Sequence, residues 1–216
     1  MKTAVLILLA FTFAHAEESV NVFVIMSVPA PAPPIVISSG AKNILFLGDS
    51  ITVGSYVPAD KTYPARIASK IQADGLDWGV VSSGVNGGTT AGGVADLPGL
   101  LIAQPKIVFI ALGVNDLGPL TLDGTYKKTR RNLCDMIDMV RAAGAIPILA
   151  EFIGVGIRGD DLKLMFVEVA LAKSIQFYPL FLSSAEDNLS DGVHPTEEGF
   201  RLMADSIYDF IRPLLN

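Results

Sequence analysis

Five apolar runs recur along the second part of the chain: NILFLG at 43–48, DWGVVSS at 77–83, KIVFIALG at 106–113, AIPILAEF at 145–152 and a weaker IQFYPLF at 175–181. They show little polar alternation, which marks strands buried on both faces. Between them, apolar positions return at helical spacing over 63–73, 90–103, 125–143, 161–173 and 196–214. In the third of these, Leu133, Ile137 and Val140 share a face with Met136 beside them, while Lys127, Lys128, Arg130 and Arg131 supply a polar side. Gly144 then stops the helix. Parallel strands need crossover connections of this kind and are covered on both faces. The pattern predicts an α/β fold, a three-layer α/β/α sandwich with a central parallel five-stranded sheet, flavodoxin-like in its alternation.

The start of the chain reads differently. MKTAVLILLAFTFAHA carries Lys2, an apolar run over 4–13, and small residues at Ala14 and Ala16. This is the pattern of a secretory signal cleaved after Ala16. The run is about ten residues, short of the roughly twenty that span a bilayer as a helix. An uncleaved N-terminal anchor is the alternative, because VNVFVIMSV follows at 20–28. The stretch VPAPAPPIVISSGAK is rich in proline and small residues and predicts an extended linker. The expected organisation is a signal peptide at 1–16, a Pro-rich linker at 17–41 and one domain at 42–216. The expected location is exported, periplasmic or secreted, with no stable membrane insertion once the signal is removed.

Composition narrows the chemistry. The formal net charge is −6 and the basic residues form no long run, which disfavours nucleic acid and anionic membrane as partners. A small neutral molecule fits better, and a monomer is the default oligomeric state. Cys134 is the only cysteine, so no intrachain disulfide can form, and its place in RRNLCDMIDMV reads as a small helix hydrophobe. The two histidines are His15, which would leave with the signal, and His194. A zinc site built on two or three histidines is therefore excluded, and no metal or organic cofactor is expected.

In open parallel sheets, ligands bind beyond the carboxyl ends of the strands, so the residues there are the candidates. After the first run come Gly48, Asp49 and Ser50. A serine hydroxyl at a strand-to-helix turn is exposed beside backbone N–H groups and becomes a nucleophile once a base takes its proton. The base is offered by SDGVHP at 190–195, where Asp191 can curl back to one nitrogen of His194 and leave the other facing a serine. An oxyanion needs donors, and the N–H of Ser50, a glycine N–H from SSGVNGGTTAGG and the amide of Asn115 in LGVND supply them. Taken singly, each block has a plainer reading as a helix cap or a turn.

Together, GDS, a glycine-rich turn, GVND and DGVHP, in that order over 44–214, resemble the GDSL or SGNH hydrolase family, including its bacterial arylesterase, thioesterase I and lysophospholipase branch. The resemblance implies Ser50 as nucleophile and oxyanion donor, Gly87 and Asn115 as the other donors, His194 as base and Asp191 as its orienting residue. Asp49 is then structural. Two departures stand out. SSGVNGG lacks the asparagine that often precedes the family's glycine, which leaves Gly84 and Gly88 as rivals to Gly87. GVNDLGPLTLDG departs from the GGND and Gly-Leu-Arg pattern of the thioesterase branch, so the substrate-facing loop is expected to differ. The implied activity is hydrolysis of carboxylic esters of short to medium acyl chains through an acyl-serine. An acyl thioesterase or lysophospholipase, or a carbohydrate acetylesterase, would use the same residues. A non-catalytic flavodoxin-like binding module fits the same alternation, although neither GxxxxGK[ST] nor GxGxxG follows a strand.

Overall fold

The computed structural model describes residues 6–15, 18–27, 34–116, 125–151, 159–179 and 181–216. The chain divides into two units, 1–33 and 34–216. In the first, β1 (Leu6–His15) and β2 (Glu18–Ser27) form an antiparallel hairpin whose register sets Leu6 opposite Ser27 and His15 opposite Glu18.

The second unit holds β3 (Ile35–Ser38), β4 (Lys42–Gly48), α1 (Ser50–Val53), α2 (Tyr63–Ala73), β5 (Trp78–Gly84), α3 (Thr90–Leu101), β6 (Ile107–Ala111), α4 (Thr125–Ala142), β7 (Ile146–Ala150), α5 (Gly159–Lys173), β8 (Gln176–Tyr178) and α6 (Glu197–Ile211). The sheet order is β3-β5-β4-β6-β7-β8. The five strands from β4 to β8 are those read from the apolar runs, and all of them pair in parallel. Ile44, Leu45, Phe46 and Leu47 of β4 are all buried, as are all five residues of β6, because helices cover both faces. On these faces α2 packs on α6, and α4 packs on both α3 and α5. Phe46, Tyr63, Phe109 and Phe181 stack ring to ring between the middle of the sheet and α2.

The sixth strand extends the expected architecture. β3 adds to the outer side of β5 in the antiparallel sense, so the sheet is mixed and begins at Ile35 rather than at Lys42. The expected linker at 17–41 therefore contributes both β2 and β3. β3 is only four residues long, too few for a periodic signal. What recruits β3 is the open edge of β5, whose Val80 N–H donates to Ser38 Oγ at 3.1 Å.

Three helices start at a threonine whose hydroxyl accepts a free backbone N–H of the first turn: Thr62 for α2, Thr89 for α3 and Thr196 for α6. The chain places β5 on one side of β4 and β6 on the other. That reversal opens a crevice at the carboxyl ends of β4 and β6.

Candidate active site

Asp49 and Ser50 occupy the turn out of β4. Asp49 caps α1, its Oδ1 accepting the N–H of Ile51 at 3.0 Å, and the single turn of helix is closed by the N–H of Val53 on the Asp49 carbonyl. The Asp49 side chain is 1% exposed. Burial pushes its carboxyl up to about 6, against the opposing pull of the Ile51 N–H and of His194. Asp49 thus has the anchoring place expected of it, and it is also a buried charge beside the site.

The Asp-His turn comes from the segment before α6. Gly192 takes a left-handed conformation, which lets Asp191 Oδ1 accept the backbone N–H groups of Val193 at 3.0 Å and His194 at 2.8 Å. Asp191 Oδ2 lies 2.8 Å from His194 Nδ1, and His194 Nε2 lies 2.9 Å from Ser50 Oγ. The backbone N–H of His194, then its imidazole and the N–H of Val193 hold the Asp191 carboxyl down at about 2. The turn is closed by the Ser190 N–H, which donates to the His194 carbonyl at 2.7 Å.

Asn115 sits in the short turn Val114–Asp116 after β6. Its Nδ2 donates to the Gly88 carbonyl at 3.0 Å and, more loosely, towards Asp49 Oδ2 at 3.4 Å. The neighbouring Asp116 takes both the N–H and the hydroxyl of Thr90 at the start of α3, and Asn132 of α4 donates to Thr90 Oγ1 at 2.9 Å. The asparagine turn is thereby tied to two helices. Of the three rival glycines, Gly87 lines a cavity of about 800 Å³ together with Ser50, Asn115 and His194. Its φ of +69° is one that a side chain would strain. Gly84 instead lies close under α1, where a Cβ would come within 2.5 Å of Val53 N, and Gly88 offers its carbonyl to Asn115.

Ser50, Gly87, Asn115 and His194 thus line one crevice, and Asp191 stands behind His194. Three further contacts were not readable from the chain. The Tyr56 ring meets His194 edge to face at 5.2 Å, although the residue itself is 76% exposed and has a φ of +71°. Ser55 Oγ donates to Asn86 Oδ1 at 3.0 Å, joining the loop after α1 to the glycine turn. The Thr90–Asn132 contact spans 42 positions. Only Asn86, adjacent to Gly87, had a signal in its neighbourhood. Among the described residues, no group of three His, Cys, Asp or Glu side chains could hold a metal ion.

Residues 46–202 match the GDSL-like Lipase/Acylhydrolase family, most of the chain. The chain belongs to this family. It is similar to an arylesterase of Vibrio mimicus, with 29% identity over 180 residues that cover 79% of this chain and 88% of that protein. It is also similar to thioesterase 1/protease 1/lysophospholipase L1 of Escherichia coli K12, with 28% identity over 189 residues, 83% of this chain and 88% of the other. Among solved structures, the psychrotrophic esterase EstA of Pseudoalteromonas superposes with a TM-score of 0.72 at 26% identity, covering 81% of this chain and 99% of EstA. This GDSL hydrolase is accordingly an enzyme of the carboxylic ester hydrolase type, acting on small-molecule esters. No described helix is long and apolar enough to cross a membrane.

Proposed function

We propose that Ser50 is the nucleophile, His194 the general base and acid, and Asp191 the residue that orients the imidazole. The observation that carries this reading is the unbroken chain from Asp191 Oδ2 through the imidazole to Ser50 Oγ, at 2.8 and 2.9 Å. His194 takes the Ser50 proton as Oγ attacks the ester carbonyl, and the imidazolium is held by the carboxylate. The carbonyl oxygen, now negative, is received by the N–H groups of Ser50 and Gly87 and by the Asn115 amide, whose second hydrogen is only loosely held by Asp49. His194 protonates the leaving alcohol, and water then repeats the sequence on the acyl-serine. No metal or organic cofactor enters the cycle.

The substrates in this proposal are carboxylic esters of short to medium acyl chains. A thioester would react at the same residues, and the E. coli relative is named a thioesterase and lysophospholipase. The proposal includes export through a signal cleaved after Ala16, which N-terminal sequencing of the mature protein tests, and a monomer in solution.

The test of the chemistry is hydrolysis of p-nitrophenyl acetate and butyrate by the wild type and by Ser50→Ala. Turnover that vanishes in a folded Ser50→Ala variant is expected. Equal turnover by both would remove Ser50 from the mechanism. The EstA structure was solved inhibited by monoethylphosphonate. A phosphonate is accordingly expected to add one adduct to this chain, located at Ser50 by peptide mass spectrometry.

A further inference from the structure

A second cavity, of about 420 Å³, lies between the edge strand β3 and α2, a size within the range of small-molecule sites. It shares one wall with the catalytic crevice. Val53, 40% exposed, lines both, and it stands one helical turn from Ser50.

The lining is chemically quiet. Ile37, Ala65 and Ala68 supply apolar surface. Most of the hydroxyls that face it are already engaged: Thr62 Oγ1 donates to the Ala59 carbonyl, Ser69 Oγ to Ala65 and Ser82 Oγ to Thr52, Thr52 Oγ1 pairs with Tyr63 Oη, and Ser38 Oγ accepts the Val80 N–H. Asp60 and Gln72 stand at the exposed rim. A sugar or a charged headgroup would find few free partners inside, and its own hydroxyls would lose water without replacement. An alkyl chain loses nothing there.

Val53 is the residue common to the two cavities, and Ser50 lines only the first, so what enters the second must be a part of the ester away from the reacting carbon. In a tetrahedral intermediate on Ser50, the leaving oxygen must face His194 and the oxyanion must face Gly87 and Asn115. The remaining substituent is the acyl chain. None of His194, Gly87 and Asn115 lines the second cavity.

We propose that the groove between β3 and α2 receives the acyl chain of the ester, entering past Val53. This rests on the serine-esterase reading and extends it: an apolar acyl chain, rather than an acetylated carbohydrate, is the preferred substrate class. β3 lies before the matched family span of 46–202.

The test is a series of p-nitrophenyl esters from acetate to decanoate, on the full chain, below the micellar concentration of each ester. For the wild type, kcat/KM is expected to rise about two- to fourfold per methylene until the groove is filled. Ile37→Trp, which fills the groove from β3, is expected to lower the decanoate-to-acetate ratio at least tenfold, and Ala68→Leu to lower it in the same sense from α2. Circular dichroism and thermal melting establish that both variants are folded. Wild-type kcat/KM that falls steadily beyond acetate, or a ratio that both folded variants leave unchanged, overturns the proposal. Binding of decanoate to Ser50→Ala, followed by titration calorimetry, separates the two readings. Decanoate binding that Ile37→Trp weakens supports the groove whatever the catalytic outcome, and no binding overturns it. Loss of the serine-esterase reading registers elsewhere, as acetate turnover that survives in Ser50→Ala.

Discussion

Asp49 and Asp191 lie on either side of the same serine and are driven in opposite directions. Asp191 accepts three hydrogen bonds, and its carboxyl is held at about 2, so it stays ionised across any working pH. Protonation of Asp191 is therefore expected to contribute nothing to any change of activity on mild acidification, read from the pH profile of kcat/KM. Asp191→Asn, with the turn kept by its amide oxygen, is expected to lower kcat about ten-thousandfold while leaving the circular dichroism spectrum unchanged. Asp49 has one firm backbone donor and almost no exposure, and its carboxyl is raised to about 6. A raised carboxyl means that the native state binds a proton more readily than the unfolded chain. Stability from this group therefore increases as pH falls from about 6 towards the ordinary carboxylate value of 3.8, and above about 6 the charge imposes a constant cost. That rise corresponds to about 3 kcal/mol at most. Asp49→Asn is expected to be more stable than wild type in urea at pH 8, by about 1–3 kcal/mol, and less stabilised on acidification. Its kcat is expected to drop several-fold, because the new amide would set a donor against Asn115 Nδ2 where Asp49 Oδ2 now accepts. Asn115→Ala is expected to lower kcat about 100- to 1,000-fold in the ester assay, the cost of one oxyanion donor.

The elements that position these residues differ in how openly the chain announces them. Each apolar run from 43 to 181 became a strand, and 63–73 and 125–143 became α2 and α4 with ends moved by one residue at most. The reason is local: a helix such as α4 repeats its buried residues Leu133, Met136, Ile137 and Val140 at a spacing that one face requires. β3 carries no such repeat and owes its state to the vacant edge of β5. Cys134, read as a helix hydrophobe, lies half-buried on α4 against the core. The cap of α6 matters to the site because Thr196 follows the His194 turn directly, and its N–H also donates to the Asn188 carbonyl at 2.8 Å. Thr196→Ala is expected to cost about 1 kcal/mol in chemical denaturation.

At the scale of the molecule, the sheet order places the site. β4 delivers Ser50, and β6, its neighbour across the reversal, delivers Asn115, while the Asp-His turn arrives from the far end of the chain, 144 positions from Ser50. The C-terminus is fastened in turn: Trp78 Nε1, at the start of β5, donates to the Leu215 carbonyl at 2.9 Å in a buried setting. Trp78→Phe leaves that carbonyl without its donor and is expected to destabilise the protein by about 1–3 kcal/mol, read from the urea midpoint.

The order of apolar runs and helical repeats, and the four blocks GDS, the glycine-rich turn, GVND and DGVHP, were legible in the sequence alone, because periodicity and turn residues act over a few neighbouring positions. Which of three glycines borders the crevice, why Asp49 bears a raised carboxyl, how Tyr56 meets His194 and where β3 opens a groove beside Val53 were decided only by the tertiary structure. Each depends on burial or on the approach of segments far apart in the chain, and those quantities exist only once the elements have packed.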